Sequence, residues 1–444
     1  MENNTLISKK MWFILILFGL IGQIAWAVEN MYFNLFVYNT IAKSTETVTL
    51  MVQLSGITAT IITLLAGVFS DKAGNRRYFI SIGYIIWGLI IVSFAFITKE
   101  NTSKIFNISD TAKIISTTCA IVVAMDCLMT TFGSTANDAA FNAWVTDNTS
   151  SSNRGKVEGV LSIMPLFALL IVAGGFGILV SQIGYDGMFI ALGSIVVISG
   201  IIGIFLIKDN PSLVKSNNVF YKDLIYGFKP SVIKENITLY IIFIVMCIYS
   251  IACQVFMPYL IIYLQEYLKF TVIEYSIVLG LVIILGAICV VLISRASDKY
   301  RKDKMCYIFT AIFAIGLLCI YFVKGENHTL NVILLGIFGF VMIVGYISLL
   351  SLLGALTRDY TPEENAGKLQ GIRMIFYILI PMFVGPAIGQ ALNKFQGTTY
   401  IDPDSLQVAN IPAPEIFLVA SIIALLMFIP LVFLTKKINK EMNK

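Results

Sequence analysis

Long apolar runs, separated by short polar segments, fill most of the 444-residue chain. Each run has about 20 residues or more, which lets one helix cross about 30 Å of hydrocarbon. Six runs lie on each side of a polar connector at 208–236. The pattern predicts an all-α membrane protein with twelve transmembrane helices, at roughly 11–39, 46–69, 78–98, 113–145, 150–182, 186–207, 237–267, 271–295, 304–323, 328–356, 362–392 and 412–435.

A stretch that ends at Gly159 returns in the second half of the chain, 212 residues further on. Seven of the seventeen positions from Ala143 to Gly159 are identical, where chance would give about one. We therefore expect two homologous six-helix halves, at 1–207 and 237–444, joined by a cytoplasmic connector at 208–236. The identical residues are Ala143, Asp147, Thr149, Asn153, Gly155, Lys156 and Gly159, which match Ala355, Asp359, Thr361, Asn365, Gly367, Lys368 and Gly371.

The composition supports a membrane protein. Hydrophobic residues make up 58% of the chain and charged residues 13%, and the mean hydropathy is +0.85, which is too apolar for a soluble protein of this length. Lysine and arginine concentrate in alternate loops, and the positive-inside rule then places both termini in the cytoplasm. The net charge of +5 reflects this bias, so we expect no nucleic-acid partner. We expect a multi-pass monomer in the plasma membrane, surrounded by lipid.

The sequence gives little support for catalysis, a metal site or a cofactor. All seven cysteines lie in or beside apolar runs without C-x-x-C spacing. The glycine cluster at 174–177 lies inside an apolar run, and the chain contains no P-loop. We therefore predict that the protein is not an enzyme and is not driven by ATP. The only histidine, His328, lies in an outer loop, so proton coupling would have to use carboxylates.

Two inner loops share a small residue, an acid and a basic cluster. Ser70, Asp71 and Lys72 follow the second run, and Ser297, Asp298 and Lys299 follow the eighth. Such an acid can meet the positive N-terminus of a neighbouring helix, and the small residue allows helices to approach closely. The predicted gating residues of these loops and of the repeated stretch are Asp71, Lys72, Arg76, Arg77, Asp147, Arg154, Lys156, Asp298, Lys299, Asp359 and Lys368.

Twelve spans in two related sixes, with G-x-x-x-D-K-x-G-x-R-R at 67–77, resemble the major facilitator superfamily of secondary transporters. The segment from Asp138 to Trp144, and Arg358-Asp359-Tyr360 with Arg373, are similar to the glycoside, pentoside and hexuronide cation symporters. The first helix, with Gln23, Trp26 and Tyr32, is more similar to sucrose-type proton symporters. The resemblance implies alternating access and places Asp138 at the position of the cation-binding carboxylate.

The second helix departs from the sodium-using members of that group. Those members carry paired acids in this helix, whereas this chain has Thr58, Thr60 and Thr63 there. We therefore expect a proton, and not sodium, as the coupling ion.

Charged residues inside apolar runs are functional candidates, because a charge in hydrocarbon is costly unless it is paired or faces water. Asp138, Asp126 and Glu29 are the candidate coupling-ion carboxylates. Arg373 is expected at a depth similar to that of Asp138 but in the other half, where it would pair with Asp138 as a gate or bind an anionic part of the substrate. The candidate substrate-binding residues are Gln23, Trp26, Asn30, Asn34, Asn137, Gln254, Tyr259, Arg373 and Tyr377.

Two classes of function remain open from the sequence. The favoured one is proton-coupled symport of a small-molecule sugar or glycoside by alternating access. Transport of another solute, such as a lysolipid or an exported drug, is the alternative within transport. A receptor or partner subunit that kept the fold without transporting anything is the second class, although intramembrane charges favour transport.

Overall fold

The computed structural model describes residues 7–149, 156–157, 159–210, 226–297, 300–324, 327–362, 366–402 and 408–442. In these residues, eleven helical runs are long and apolar enough to cross a membrane. The run Gly159–Leu206 has 48 residues and bends at Gly184, which has the non-helical φ of 73°. Counted on both sides of this bend, the runs give the twelve spans, so the predicted fold is confirmed.

We number the spans by their order in the chain. They are α1 Lys9–Ile41, α2 Thr45–Gly67, α3 Arg76–Phe96, α4 Thr111–Asp147, α5 159–183, α6 185–206, α7 Ile237–Tyr267, α8 Val272–Val290, α9 Lys302–Tyr321, α10 His328–Tyr360, α11 Gly371–Gln396 and α12 Glu415–Met442. Helical geometry continues past α2 to Ala73, and the helix that contains the start of α11 begins at Ala366. Two short helices, Lys99–Phe106 and Pro230–Glu235, lie between spans.

The chain forms two compact units. Unit 1 comprises Met1–Lys43, Ile57–Asn218 and Asp402–Gln407. Unit 2 comprises Ser44–Gly56, Val219–Ile401 and Val408–Lys444. The first residues of α2 therefore belong to unit 2 and the rest of this helix to unit 1. The boundaries at 207 and 237 stay a prediction from the sequence.

In unit 1, α1 and α4 run antiparallel with a constant register. Glu29 meets Thr130, Trp26 meets Gly133, and Gly22 meets Asn137. Each step back along α1 is matched by an equal step forward along α4. The candidate residues of α1 therefore lie on the face of this helix that packs against α4.

Glycines bring the backbones of α3 and α6 into contact. A Cβ atom at Gly88 would lie 2.6 Å from the Gly193 carbonyl oxygen, and a Cβ at Gly193 would lie equally close to that of Gly88. A Cβ at Gly200 would lie 2.7 Å from the Ser81 carbonyl oxygen. Without a strong hydrophobic drive between helices in lipid, such close packing is a main source of their association.

Unit 2 uses glycines in the same way. Gly345 of α10 lies against the backbone of Phe313 on α9, where a Cβ would come within 2.6 Å of the Phe313 Cα. A Cβ at Gly385 of α11 would lie 2.5 Å from the Gln254 Cβ on α7. The Ser421 hydroxyl of α12 donates to the Ala314 carbonyl of α9 at 2.8 Å. These contacts fix α10 and α12 against α9, and α11 against α7.

Several spans contain wider, π-helical turns. A π turn places one more residue in each turn than an α-helix does, and such turns occur frequently at functional sites. Candidate residues Glu29, Asn137, Asp138 and Tyr377 all lie in such turns. The π-helical segments are Glu29–Phe33, Val37–Ile41, Ser134–Phe141, Val172–Phe176, Tyr263–Tyr267 and Ile375–Leu379.

A small β-hairpin follows α11 and was not predicted. Strands Thr399–Ile401 and Val408–Asn410 pair antiparallel, with Thr399 opposite Asn410. The buried Asn393 side chain accepts a hydrogen bond from the Ala413 backbone N–H at 2.9 Å. The hairpin segment is thereby tied to the end of α11 before α12 begins.

Candidate functional site

The carboxylate of Asp138 lies in the π-helical segment of α4 and is held by its own helix. The Ser134 hydroxyl donates to Asp138 Oδ2 at 3.1 Å, and the Asn137 amide donates to Oδ1 at 3.2 Å. Ser134 and Asn137 are buried, whereas Asp138 is partly exposed. Asp138 is thus a carboxylate held in place by hydrogen bonds from its own helix and not fully enclosed.

Asn137 connects this carboxylate to α1 and α3. The Tyr84 hydroxyl oxygen of α3 lies 2.9 Å from Asn137 Oδ1 and 2.9 Å from the Phe18 carbonyl oxygen of α1. Gly22 of α1 faces both side chains, and a Cβ there would overlap the Asn137 amide. Tyr84 is fully buried, so it orients Asn137 from within the helix packing.

Two tryptophans form one wall beside Asp138. The rings of Trp26 and Trp87 lie 5.1 Å apart between centroids. A Cβ at Gly133 would come within 2.9 Å of both rings, so the glycine makes room for the pair. The Trp26 indole N–H lies close to the Asp138 carboxylate as a hydrogen-bond donor. The aromatic wall and the carboxylate therefore adjoin each other.

The other polar residues predicted along α1 differ from one another in their surroundings. Asn30 is exposed, and its amide donates to the Trp26 carbonyl at 2.8 Å. Asn34 is buried and donates to the Asn30 carbonyl at 2.9 Å. Gln23 is partly exposed on the turn before Trp26. The two asparagine amides are thus engaged with their own helix.

Glu29 and Asp126 come together between α1 and α4. The Thr130 hydroxyl, one turn after Asp126, donates to Glu29 Oε1 at 3.3 Å. Asp126 lies close enough to Glu29 for the two charges to act on each other. Their exposed fractions are 6% for Glu29 and 1% for Asp126. Both residues were predicted from the sequence as candidate carboxylates, but their contact with each other was not predicted.

In unit 2, Arg373 lies beside aromatic side chains. The carbon of its guanidinium is 5.9 Å from the centroid of the Tyr377 ring, within the range of a cation–π contact. Tyr249 of α7 donates its hydroxyl to the Tyr346 carbonyl of α10 at 2.9 Å. Cys253 adjoins Tyr249, Tyr346 and Tyr377. Arg373 therefore adjoins Tyr377, which belongs to a cluster of tyrosines around Cys253.

Tyr259 and Gln254 face α11. The Tyr259 hydroxyl donates to the Pro386 carbonyl at 2.9 Å and lies 2.6 Å from the Thr49 hydroxyl. Tyr259 is fully buried, and Gln254 packs against Gly385. Both residues thus take part in helix packing, and the substrate contacts predicted for them stay a prediction.

The loop between α2 and α3 forms an ion pair with the end of α4. Arg76 Nε donates to Asp147 Oδ2 at 3.0 Å, and Arg76 Nη1 donates to the Ser70 hydroxyl at 2.6 Å. The backbone N–H of Arg77 donates to Asp209 Oδ1 at 2.9 Å. The loop, α4 and the segment after α6 are therefore connected by polar contacts within unit 1.

A corresponding pair occurs in unit 2. Lys302 Nζ lies 2.5 Å from Asp359 Oδ2. The neighbouring Arg301 donates to Asp303 Oδ2 at 2.8 Å. The hydrogen bond to Asp303 raises the pKa of Arg301, because the bond favours the charged guanidinium.

The remaining predicted gating residues are only partly described. Lys72 and Lys156 are exposed. Asp71 and Lys368 lie in helical segments, and their side chains are outside the description. Arg154, Asp298 and Lys299 lie outside the described residues.

Several contacting residues were not singled out from the sequence. Tyr84 and Trp87 lie three residues apart on α3 and share a face, which is a signal that could have been noticed. Asp209, Lys302 and Tyr346 have no such local signal. Their partners are distant in the sequence, so only the folded chain brings them together.

The fold and the buried polar groups define an integral, multi-pass membrane transporter. The sequence matches the family described as Major Facilitator Superfamily over residues 11–324 and 242–443, and the chain belongs to this superfamily. This family and the solved structures similar to the chain are transporters and not enzymes.

The solved structures similar to this chain are transporters that are named for different substrates or relatives. The D-xylose-proton symporter aligns with a TM-score of 0.70 over 96% of this chain and 96% of its own, at 12% identity. The nucleoside transporter NupG gives 0.67 over 95% and 99%, at 12% identity. A bacterial homologue of the human lysosomal transporter Spinster gives 0.64 over 96% and 96%, at 11% identity. At these identities the likeness shows the fold alone.

None of the curated proteins compared with the chain matches its sequence.

Proposed function

We propose that the protein is a secondary active transporter that couples the entry of protons to symport of a sugar or glycoside by alternating access. The proposal assigns the protein to the glycoside, pentoside and hexuronide group of symporters. It also places a monomer in the plasma membrane, with both termini cytoplasmic.

The observation that carries this proposal is the surrounding of Asp138. A carboxylate held by Ser134 and Asn137 adjoins the Trp26 ring and its indole N–H. Sugar hydroxyls both donate and accept hydrogen bonds, so a carboxylate and an N–H donor suit them. The flat Trp26 ring suits the apolar face of a sugar ring. The arrangement supports a polar, hydroxyl-rich solute better than a lysolipid.

The choice of the proton rests on the carboxylates. Asp138, Asp126 and Glu29 are all within spans, and a carboxylate in a low-dielectric interior can exchange a proton near neutral pH. Thr58, Thr60 and Thr63 of α2 supply no second acid for a sodium site. The solved structures similar to this chain include a D-xylose-proton symporter and a nucleoside transporter. Sugars and nucleosides are therefore both included in the test.

The test uses purified protein in proteoliposomes. Sugars, glycosides, nucleosides and lysolipids are first screened by thermal shift, because a ligand that binds the folded state stabilises it by mass action. Uptake of each hit is then measured with an imposed pH gradient, with a sodium gradient and with a protonophore. We expect accumulation of a sugar or glycoside that needs the pH gradient and is abolished by the protonophore.

Accumulation driven by sodium alone would overturn the coupling ion. Accumulation of a nucleoside or a lysolipid, with no sugar transported, would overturn the substrate class. One set of proteoliposomes distinguishes these outcomes, because the ion gradient and the substrate are varied independently.

A further inference from the structure

Glu29 and Asp126 form a carboxyl pair that the transport proposal does not yet use as a unit. The pair lies between α1 and α4, and Thr130 donates its hydroxyl to Glu29 at 3.3 Å. Asp126 Oδ1 is buried and has no hydrogen-bond partner among the described residues. A buried oxygen without a partner is costly, and here it is an oxygen that can accept a proton.

The charges around Asp126 do not offset its own. Among the described residues, Glu29 is the charged group that acts on Asp126, and it carries the same sign. The uncharged groups near the pair include Thr130 and Cys127 on α4 and the hydroxyl of Thr58 on α2, which lies against Cys127. Burial and the like charge of the neighbour both disfavour a second negative charge, so the two carboxylates do not both remain ionised in such a setting. The pair is stable when it holds one proton.

This pair is separate from Asp138. Asp138 follows Asp126 by twelve positions along α4, which corresponds to about 18 Å at 1.5 Å per residue. Asp138 is bound by Ser134 and Asn137, and Glu29 by Thr130. The two sites share none of these hydrogen-bonding side chains.

We propose that Glu29 and Asp126 share one exchangeable proton and form a protonation site of their own in unit 1. The pair carries one negative charge with this proton and two without it, and the proton is taken from and returned to water. This role deepens the proposed proton-coupled transport and rests on it for its function.

The direct test is infrared spectroscopy of the purified protein in sodium-free detergent solution, in an Asp138→Asn background that removes the other carboxyl. We expect a protonated-carboxyl band that disappears as the pH is raised. Glu29→Gln and Asp126→Asn should each change the pH at which this band titrates, and the double variant should abolish the band. Glu100→Gln, at an exposed site on the short helix after α3, is the matched control and should keep the band.

The result that overturns the proposal is equally definite. A band whose titration is unchanged in either single variant means that the two carboxyls do not share the proton. A band that sodium removes at constant pH means that the site binds a metal cation instead. Where a neutral variant fails to fold, Asp126→Glu keeps both carboxyls and should keep the band.

Transport assays distinguish a failure of this site from a failure of the proposed function. In an otherwise wild-type chain, Glu29→Gln and Asp126→Asn should retain exchange of substrate across the membrane and lose at least tenfold in accumulation. If the infrared titration fails while accumulation of a sugar stays proton-driven, the shared site is wrong and the proposed function stands. If the titration succeeds and no sugar is transported, the proposed substrate class is wrong and the site stands.

Discussion

Arg76, the first residue of α3, forms an ion pair with Asp147, the last residue of α4, at 3.0 Å. Lys302, the first residue of α9, pairs in the same way with Asp359 on α10, at 2.5 Å. Asp147 and Asp359 are also the acids that match across the sequence repeat. The two units thus place an ion pair between corresponding helices, although the cation differs.

The two pairs should contribute unequally to stability. The side chains are 6% and 24% exposed in the Arg76–Asp147 pair, but 29% and 47% exposed in the Lys302–Asp359 pair. Arg76→Gln leaves Asp147 without its main cation and should cost on the order of 2 kcal/mol, whereas Lys302→Gln should cost about 0 to 1 kcal/mol. Unfolding in detergent, followed by intrinsic fluorescence against denaturant, measures both. Equal losses would contradict this ranking.

Asp138→Asn should abolish accumulation of substrate against a gradient while the protein still folds and inserts. The substitution keeps the size of the side chain and its contacts with Ser134 and Asn137 but removes the exchangeable proton. Uptake in proteoliposomes with and without a pH gradient measures the effect. Proton-driven accumulation at the wild-type level in this variant would remove Asp138 from the coupling role.

The pairing of Asp138 with Arg373 stays a prediction from the sequence, since one lies in unit 1 and the other in unit 2. If the two side chains pair, removing either one leaves the other uncompensated and should cost about 3 to 5 kcal/mol. The double variant Asp138→Asn with Arg373→Gln should then recover part of that loss. A double-mutant cycle on stability and on exchange gives the coupling. Strict additivity would favour Arg373 as a ligand of an anionic substrate group.

Gly22→Ala should damage the Asp138 site without touching Asp138. The new methyl group overlaps the Asn137 amide and comes within 2.7 Å of the Tyr84 hydroxyl, and overpacking of this kind typically costs about 1 to 3 kcal/mol. Gly336→Ala on α10 is the matched control, because nothing lies within 4 Å of its added Cβ. We expect lower stability and weaker substrate binding in the first variant only. Comparable behaviour of both variants would mean that Gly22 has no special role.

Hydropathy alone predicted the spans because the bilayer requires long apolar helices. The expected gap between the fifth and sixth spans, at 183–185, contains Gly184, where the helix bends. The hairpin after α11 was missed, since its strands have only three residues each. Such short strands leave no periodic pattern to recognise.

The site residues could be named from the sequence, but their partners could not. Burial of a charge is visible in the hydropathy pattern, so Glu29 and Asp126 were both candidates. Their meeting depends on the register between α1 and α4, which Gly22 and Gly133 permit by admitting the bulky side chains opposite. A pattern along one helix contains no information about the register of two helices.

The π-helical turn at Glu29–Phe33 lets α1 tolerate the loss of one residue. A π turn holds one residue more than an α turn, so deleting one residue there lets the helix return to regular α geometry instead of breaking. Because the five residues of a π turn and four residues of an α-helix both turn the chain by about 400°, the residues on either side of the deletion would keep nearly the same relative orientation. Glu29 would stay beside Trp26 and Gly22, and only the side chains within the turn would change their positions. Deletion at this one turn therefore offers a route by which a related chain could change the side chains beside its carboxyl pair without losing its place in the membrane.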